Sequence, residues 1–271
     1  MNRASASAKI NLALVVGPRR EEGRHEVTTV LQRVDLCDRV AVSPAERTTV
    51  RGFAPDTIVA DALRGLSDAT GAPGWAARIW KRIPVAAGLG GGSSDAATAL
   101  RLANATLSRP LGPSELAELA GGVGADVPFF LAPGPALGEG DGSSMSPLDL
   151  PQDYWVLLLL PAHEQKSSTA AVYESNDRRA AERGYAQRHD ALLAALERVR
   201  RPRDLASLPG NDLAESPLAA ELLAAGAFRA DVSGAGPVVY GLFHRLATAQ
   251  AARRLLAGRG RSWLTVPAWY G

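Results

Sequence analysis

Apolar side chains recur along this chain with two different spacings. Residues 10–16 and 27–34 form apolar runs rich in β-branched side chains, which predict strands. Over residues 56–66 the apolar positions recur every three or four residues, the spacing of one helix face. Because predicted strands and helices intermix to the end of the chain, the pattern predicts an α+β fold.

The same pattern places the remaining elements. Further strands are expected at 39–42, 76–83, 155–160, 238–243 and 262–266, and further helices at 93–107, 113–119, 187–198, 217–225 and 247–256. Residues 132–147 are rich in Gly, Pro and Ser and are expected to be irregular. The composition changes near Pro151, which predicts two domains, 1–150 and 151–271.

Composition and charge exclude several classes of protein. Of the 271 residues, 46% are hydrophobic and 21% are charged, as in ordinary globular proteins, and the net charge of +2 gives no basic field for nucleic acid. The chain has no apolar run of about 18 residues and no apolar signal segment at its start. Its single cysteine, Cys37, excludes an internal disulfide and a cysteine-based zinc site. We therefore expect a cytoplasmic protein that binds neither nucleic acid nor membrane.

The most informative segment is the glycine-rich run GLGGGSS at residues 88–94, just before the predicted helix at 93–107. Four glycines in five positions cost backbone entropy on folding, which is tolerated where the backbone approaches a ligand closely or takes positive φ. A helix N-terminus adds free N–H groups and a positive dipole end, which favour an anion such as phosphate. Ser93 or Ser94 is expected to cap this helix, and their hydroxyls could bind phosphate oxygens or Mg²⁺.

Known glycine motifs do not describe this run. The lysine of the Walker A loop is missing, and no dinucleotide fingerprint is present. A glycine turn ahead of a buried, alanine-rich helix would have the same composition. The run alone therefore predicts an anion site whose positive charge comes from elsewhere in the chain.

The segments around the run carry a specific resemblance. Residues 84–97 (PVAAGLGGGSSDAA) resemble the phosphate loop of the GHMP kinases, a family of small-molecule kinases. Further matching segments are AKINL at 8–12, GRHEV at 23–27, GADVPFF at 124–130, NDL at 211–213 and SGAGP at 233–237. The resemblance covers residues 5–245. It implies an N-terminal ribosomal-protein-S5-like domain that binds ATP and a C-terminal ferredoxin-like domain.

Taken together, the segments are most similar to the GHMP kinases that phosphorylate the 2-hydroxyl of a cytidine diphospho-sugar alcohol, in the non-mevalonate route to isoprenoid precursors. The resemblance implies ATP and Mg²⁺ as cofactors, a small-molecule substrate and a monomer or weak homodimer. Two alternatives stay open, namely another GHMP kinase of homoserine or mevalonate type, and a degenerate nucleotide-binding protein without catalysis. Residues 23–27 and Tyr173 favour the first hypothesis, because cytosine recognition has no purpose in the other kinases.

The resemblance also assigns catalytic roles. Asp126 matches the catalytic aspartate, which accepts the proton of the attacking hydroxyl or orients it. Lys9 matches the catalytic lysine, which keeps Asp126 ionised and stabilises charge on the transferred group. Without the resemblance, Asp126 would be interpreted as a turn residue and Lys9 as a solvated strand residue. Asn11 shares a strand face with Lys9 and is expected to bind substrate.

The remaining site residues follow from the same resemblance. The implied ATP-binding residues are Pro84, Ala86, Ala87, Gly88, Leu89, Gly90, Gly91, Gly92, Ser93, Ser94, Asp56 and Lys81, with Ser94 also a ligand of Mg²⁺. The implied substrate-binding residues are Asn11, Arg24, His25, Asp126, Tyr173 and Gly234.

Two positions depart from the family pattern. Arg24 stands where the family usually has a tyrosine that stacks on cytosine, and a guanidinium plane stacks differently. Asp56 stands where an asparagine usually approaches adenine, and an ionised carboxylate only accepts hydrogen bonds. Lys81 would equally fit an exposed strand position, and Tyr173 a half-buried core position.

Overall fold

The computed structural model describes residues 2–20, 23–53, 57–162 and 184–268. The strands in these ranges are β1 (Asn2–Arg19), β2 (His25–Pro44), β3 (Thr49–Arg51), β4 (Trp75–Trp80), β5 (Ala136–Glu139), β6 (Ser144–Pro147), β7 (Trp155–Pro161), β8 (Arg229–Val232), β9 (Val239–Phe243) and β10 (Gly260–Thr265). The α-helices are α1 (Thr57–Thr70), α2 (Gly91–Asn104), α3 (Pro113–Val123), α4 (Tyr185–Leu196), α5 (Pro217–Ala224) and α6 (Leu246–Leu255).

The first sheet is built around the long antiparallel pair β1 and β2. Its strand order is β3-β4-β2-β5-β6, and β1 pairs with β2 off this path. Helices α1 and α2 cover one face, where Leu63 and Leu100 pack in the same apolar cluster as Val40 and Ile79. Alternate side chains of β4 are buried in this layer, as the two-residue period of a strand requires.

The second sheet has the antiparallel order β10-β7-β9-β8. With its helices it is the expected ferredoxin-like arrangement, in which the first and third strands in sequence lie at the centre. Leu222 of α5 and Ala249 of α6 pack on one face of this sheet. On the other face, Leu158 and Tyr240 belong to the same apolar cluster as Ile10 of β1. Strand β1 therefore lies where the two layers meet.

The predicted α+β class is confirmed, and most predicted elements are present within a few residues. The prediction of irregular structure at 132–147 was wrong, because β5 and β6 pair there as a short hairpin despite the glycines in this segment. Strand β8 was not predicted at all. None of the described helices is long and apolar enough to cross a membrane. All strands of the first sheet precede residue 150 and all strands of the second follow it, and the division at that residue stays a prediction.

The expected serine cap of helix α2 was also wrong. The residue in the cap position is Gly90, whose φ of 66° lies in the left-handed region, and no side chain caps the helix. Glycine takes this conformation without the steric cost of a Cβ atom. Ser93 and Ser94 lie inside the first turns, and Ser94 is 1% exposed.

Candidate active site

Lys9 lies in the middle of β1 and is almost fully buried. Its Nζ donates a hydrogen bond to Asn11 Oδ1 at 2.7 Å, and Asn11 Nδ2 donates to Thr29 Oγ1 at 2.8 Å. The Thr29 hydroxyl donates to the Ala13 carbonyl at 2.8 Å. This chain of hydrogen bonds fixes the position of the ammonium group. The sequence pattern had not singled out Thr29, because its role depends on the pairing of β1 with β2.

Asp126 faces this ammonium group from the turn after α3. Its Oδ2 lies 3.5 Å from Lys9 Nζ, and its side chain is 37% exposed. The neighbouring Val127 and Phe129 are fully buried, so the turn is anchored in the core. The pair therefore presents an accessible carboxylate in front of a buried positive charge.

The glycine loop packs directly on Lys9. The Lys9 backbone N–H donates to the Leu89 carbonyl at 2.9 Å. A Cβ atom added at Gly90 would lie 3.0 Å from Lys9 Cγ and 3.1 Å from Phe130 Cζ. The left-handed φ and this close contact both favour glycine at position 90. The start of helix α2 is thereby placed beside the lysine.

The second glycine-rich turn, residues 233–237, lies beside the same pair. A Cβ atom added at Gly234 would lie 3.3 Å from Lys9 Nζ and 3.4 Å from Asn11 Oδ1. Asn211 holds this turn, because its Nδ2 donates to the Gly234 carbonyl at 2.6 Å. Gly234 therefore lines the site from the second sheet.

The two glycine turns contact each other through Gly88 and Ser233. The Ser233 hydroxyl donates to the Gly88 carbonyl at 2.9 Å. At Gly88 φ is +80°, and an added Cβ atom would lie only 2.0 Å from the Ser233 carbonyl oxygen. The contact between the two sheets thus requires glycine at position 88, whereas the sequence had indicated only close approach to a ligand, positive φ or a simple glycine turn.

A cavity of about 390 Å³ opens in front of the glycine loop. It is lined by Phe53, Thr57, Ile58, Lys81 and residues 84–93, so nearly all of the predicted ATP-binding residues share one concave surface. Ser94, the expected Mg²⁺ ligand, does not line it. Asp56 lies outside the described residues. Among the described residues, no group of three His, Cys, Asp or Glu side chains is placed to hold a metal ion.

The residues expected to recognise cytosine are placed at the start of β2. The His25 Nδ1 atom lies 3.3 Å from the Gly17 carbonyl oxygen. Arg24 pairs with Asp141, and 56% of its side chain is exposed. Burial alone would raise the pKa of Asp141, but hydrogen bonds from Ser143 and Arg24 outweigh this effect and lower it. Tyr173 lies outside the described residues.

Sequence reasoning missed a polar group beside this strand. The Thr28 hydroxyl lies 2.8 Å from Tyr185 Oη and 2.9 Å from His189 Nδ1, both of helix α4. Burial is the main cause that raises the pKa of Tyr185, so its hydroxyl stays protonated near neutral pH. No motif marks these residues, because the contact forms only when α4 docks against β2.

The glycine loop yields a first prediction, that Gly91→Val weakens ATP binding. A Cβ atom at Gly91 would already lie 3.1 Å from Ile83 Cγ2 and 3.3 Å from Lys81 Nζ. The two further methyl groups of valine would push the loop away from these neighbours. We expect a loss of about 10-fold or more in the affinity for a non-hydrolysable ATP analogue, measured by calorimetry. Gly122→Val is the control, because a Cβ atom at Gly122 meets nothing within 4 Å. Equal affinities of Gly91→Val and wild type would contradict the assignment of the loop.

Comparisons with known proteins agree with this geometry. Residues 57–134 match the family model described as GHMP kinases N terminal domain. The chain is 37% identical to a 4-diphosphocytidyl-2-C-methyl-D-erythritol kinase of Pelobacter propionicus, over 97% of this chain and 96% of the relative. It is 40% identical to the protein of the same name from an Anaeromyxobacter species, over 92% and 85% of the two chains.

A solved structure shows the same likeness over the whole fold. The crystal structure of a 4-(cytidine 5'-diphospho)-2C-methyl-D-erythritol kinase superposes with a TM-score of 0.77 at 30% identity, and all of both chains is covered. The matched family model and this superposition, together with the glycine loop at the start of α2, define the chain as a protein of the GHMP kinase class. Within that class, the chain belongs to the family of the 4-diphosphocytidyl-2-C-methyl-D-erythritol kinases.

Proposed function

We propose that this protein transfers the γ-phosphoryl group of ATP to the 2-hydroxyl of 4-diphosphocytidyl-2-C-methyl-D-erythritol. The observation that carries the proposal is the pair formed by Asp126 and the buried Lys9, 3.5 Å apart and beside the glycine loop. The relatives named above support the choice of substrate. The intact pair argues against a nucleotide-binding protein that has lost catalysis.

In the proposed reaction, the 2-hydroxyl oxygen attacks the γ-phosphorus and the bond from that phosphorus to the bridging oxygen of ADP breaks. Asp126 orients the hydroxyl and accepts its proton. The accessible position of its carboxylate supports this role, since a substrate can reach it. The ammonium of Lys9 lies 3.5 Å from this carboxylate and stabilises negative charge on the transferred group.

Positive charge for the phosphates comes from two sources in this proposal. The N-terminus of α2 presents unpaired backbone N–H groups and the positive end of the helix dipole. The second source is Lys9, whose side chain packs against Gly90 of the loop. Mg²⁺, when bound, would neutralise phosphate charge, and it commonly needs few protein ligands, for which the Ser93 hydroxyl is the candidate at this loop. Ser93 is partly exposed and lines the cavity in front of the loop, whereas Ser94 is buried, which favours Ser93 as the residue that meets the phosphates.

The cytidine part of the substrate is proposed to lie against the start of β2. His25 and Arg24 are placed there, and Tyr173 is the aromatic residue expected on the other side of the base. The Arg24 guanidinium is held by Asp141. We propose that this ion pair, in place of a tyrosine ring, forms one wall of the cytosine site.

Three further proposals concern the compartment, the oligomeric state and the binding of nucleic acid. We propose that the enzyme acts in the cytoplasm as a monomer or weak homodimer and binds no nucleic acid. The supply of ATP in the cytoplasm supports the proposed location.

The activity is tested by ADP release in the presence of single candidate substrates. We expect turnover with 4-diphosphocytidyl-2-C-methyl-D-erythritol and none above background with homoserine or mevalonate at millimolar concentration. Turnover with homoserine or mevalonate alone would show a different GHMP kinase. Binding of an ATP analogue without turnover of any substrate would show a protein that has lost catalysis.

A further inference from the structure

A buried cluster of three charged side chains lies directly behind the glycine loop. Lys81 Nζ lies 2.5 Å from Asp38 Oδ2 and 2.7 Å from Asp95 Oδ2. Both carboxylates are fully buried, and 15% of the lysine side chain is exposed. Burial alone would lower the pKa of Lys81, but the charges of Asp95 and Asp38 and their hydrogen bonds outweigh it and raise the pKa. The ammonium therefore stays charged at any physiological pH.

The cluster ties together three segments that meet at the loop. Asp38 belongs to β2, and its Oδ1 accepts hydrogen bonds from the backbone N–H groups of Ile83, at 2.9 Å, and of Arg82. Ile83 is the last residue before the loop begins at Pro84. Asp95 lies in the first turns of α2, just after the loop. Both ends of residues 84–90 are therefore anchored to the same buried cluster.

The cluster also touches the loop itself. A Cβ atom added at Gly91, the first residue of α2, would lie 3.3 Å from Lys81 Nζ. The ammonium is thus packed close to the backbone at the helix N-terminus.

The charge of the cluster argues against a direct role in binding phosphate. Two carboxylates and one ammonium sum to a net charge of −1, which repels a triphosphate. A lysine that neutralises phosphates would instead have its ammonium free of buried carboxylates, whereas here two hold it at 2.5 and 2.7 Å. The cluster instead holds the loop in place, because a buried ion pair is costly to break once it has formed.

We propose that Asp38, Lys81 and Asp95 form a positioning cluster that sets the geometry of the phosphate loop and thereby the affinity for ATP. Lys81 acts on the nucleotide through Asp95 and the loop. The inference rests on the proposed function in taking ATP as the ligand of the loop. It assigns Lys81 a role different from the direct contact that the family resemblance implies.

A double-mutant cycle tests this inference. Asp95→Asn keeps the shape of the side chain and removes its charge, Lys81→Met keeps its length, and the third variant combines both. We expect each single change to raise the Kd of a non-hydrolysable ATP analogue and the KM for ATP by about 10-fold to 100-fold. The KM for the cytidine substrate stays unchanged, because the cluster does not reach that part of the cleft. We expect the double variant to bind the ATP analogue no more weakly than the single variant with the higher Kd, because the two residues act as one unit.

The matched control is an ion pair far from the loop. Arg259 Nε lies 3.0 Å from Glu221 Oε2 at the surface of the second sheet, and Glu221→Gln, Arg259→Met and their combination should leave ATP affinity unchanged. Because Lys81→Met removes the ammonium from between two buried carboxylates, loss of folding would mask its effect on binding. Asp95→Asn is therefore also measured without ligand. In that variant we expect faster amide hydrogen exchange over residues 83–95 only.

Two outcomes would overturn the inference, and a third would overturn the proposed function. An equal loss of affinity on Lys81→Met in wild type and in the Asp95→Asn background would show that Lys81 binds the nucleotide directly. Unchanged affinity and exchange in Asp95→Asn would show that the cluster does not position the loop. Wild-type protein that binds no ATP analogue would overturn the proposed function instead. The exchange rates of residues 83–95 would still decide on the cluster.

Discussion

Asp126→Asn lowers kcat by about 10²-fold to 10⁴-fold, the range that general-base groups contribute, and leaves the affinity for ATP unchanged. Asparagine cannot accept the proton of the 2-hydroxyl, so the loss falls on the chemical step. The Asp126 side chain is partly exposed and lies on the Lys9 side of the loop, outside the residues that line the nucleotide cavity. Steady-state kinetics and calorimetry with an ATP analogue measure the two effects separately.

The control for this variant is Asp68→Asn on helix α1, which removes an exposed carboxylate away from the site. Its turnover should equal that of the wild type. If Asp126→Asn also retained wild-type turnover, Asp126 would have no part in the mechanism. If it lost nucleotide affinity together with turnover, its role would be in the shape of the site.

Lys9→Met is expected to lower kcat by about 10²-fold to 10³-fold, as loss of one preorganised electrostatic group commonly does. Methionine fills the same channel between Gly90 and Gly234 but carries no charge. The side-chain oxygen Oδ1 of Asn11 loses its donor, which costs about 1–3 kcal/mol of stability for a buried acceptor. Thermal unfolding and steady-state kinetics measure these two consequences.

Lys9→Arg is not expected to restore turnover. Added Cβ atoms at Gly90 and Gly234 would approach Lys9 to 3.0 and 3.3 Å, so the wider guanidinium has no room there. An unchanged kcat with a raised KM for ATP in Lys9→Met would contradict the prediction. In that case Lys9 would contribute equally to the ground state and the transition state.

Local sequence predicted the elements whose side chains follow a clear period. Helix α2 and strand β7 are examples. The buried face of the helix and the buried strand each contain a regular apolar pattern that can be recognised in the sequence. Strands β5 and β6 were missed because each has only four residues and glycines lie in and between them. The pairing of β5 with both β2 and β6 holds this hairpin in place. The cap of α2 was misplaced because the conformation of Gly90 depends on its contact with Lys9.

The residues of the candidate site also divide into those that local sequence predicted and those that it did not. The glycine loop could be found from sequence, because few other functions require so many glycines before a helix. Lys9 and Asp126 were found only by family resemblance, since neither has a local pattern that distinguishes it from a surface residue. Asp38 and Asp95 carry no such signal. Among the acidic residues that the structure describes, what distinguishes them is their burial around Lys81.

By itself the sequence determined the α+β class, the position of the phosphate loop and, through its matched segments, the family of the chain. These follow from spacing and residue type, which are local properties of the chain. Only the tertiary structure decided that Lys9 meets Asp126, that Gly88 has to accommodate Ser233, and that Lys81 is held between two buried carboxylates. Each of these contacts joins residues far apart in the chain, so its distance and burial exist only after the strands have paired and the two sheets have packed.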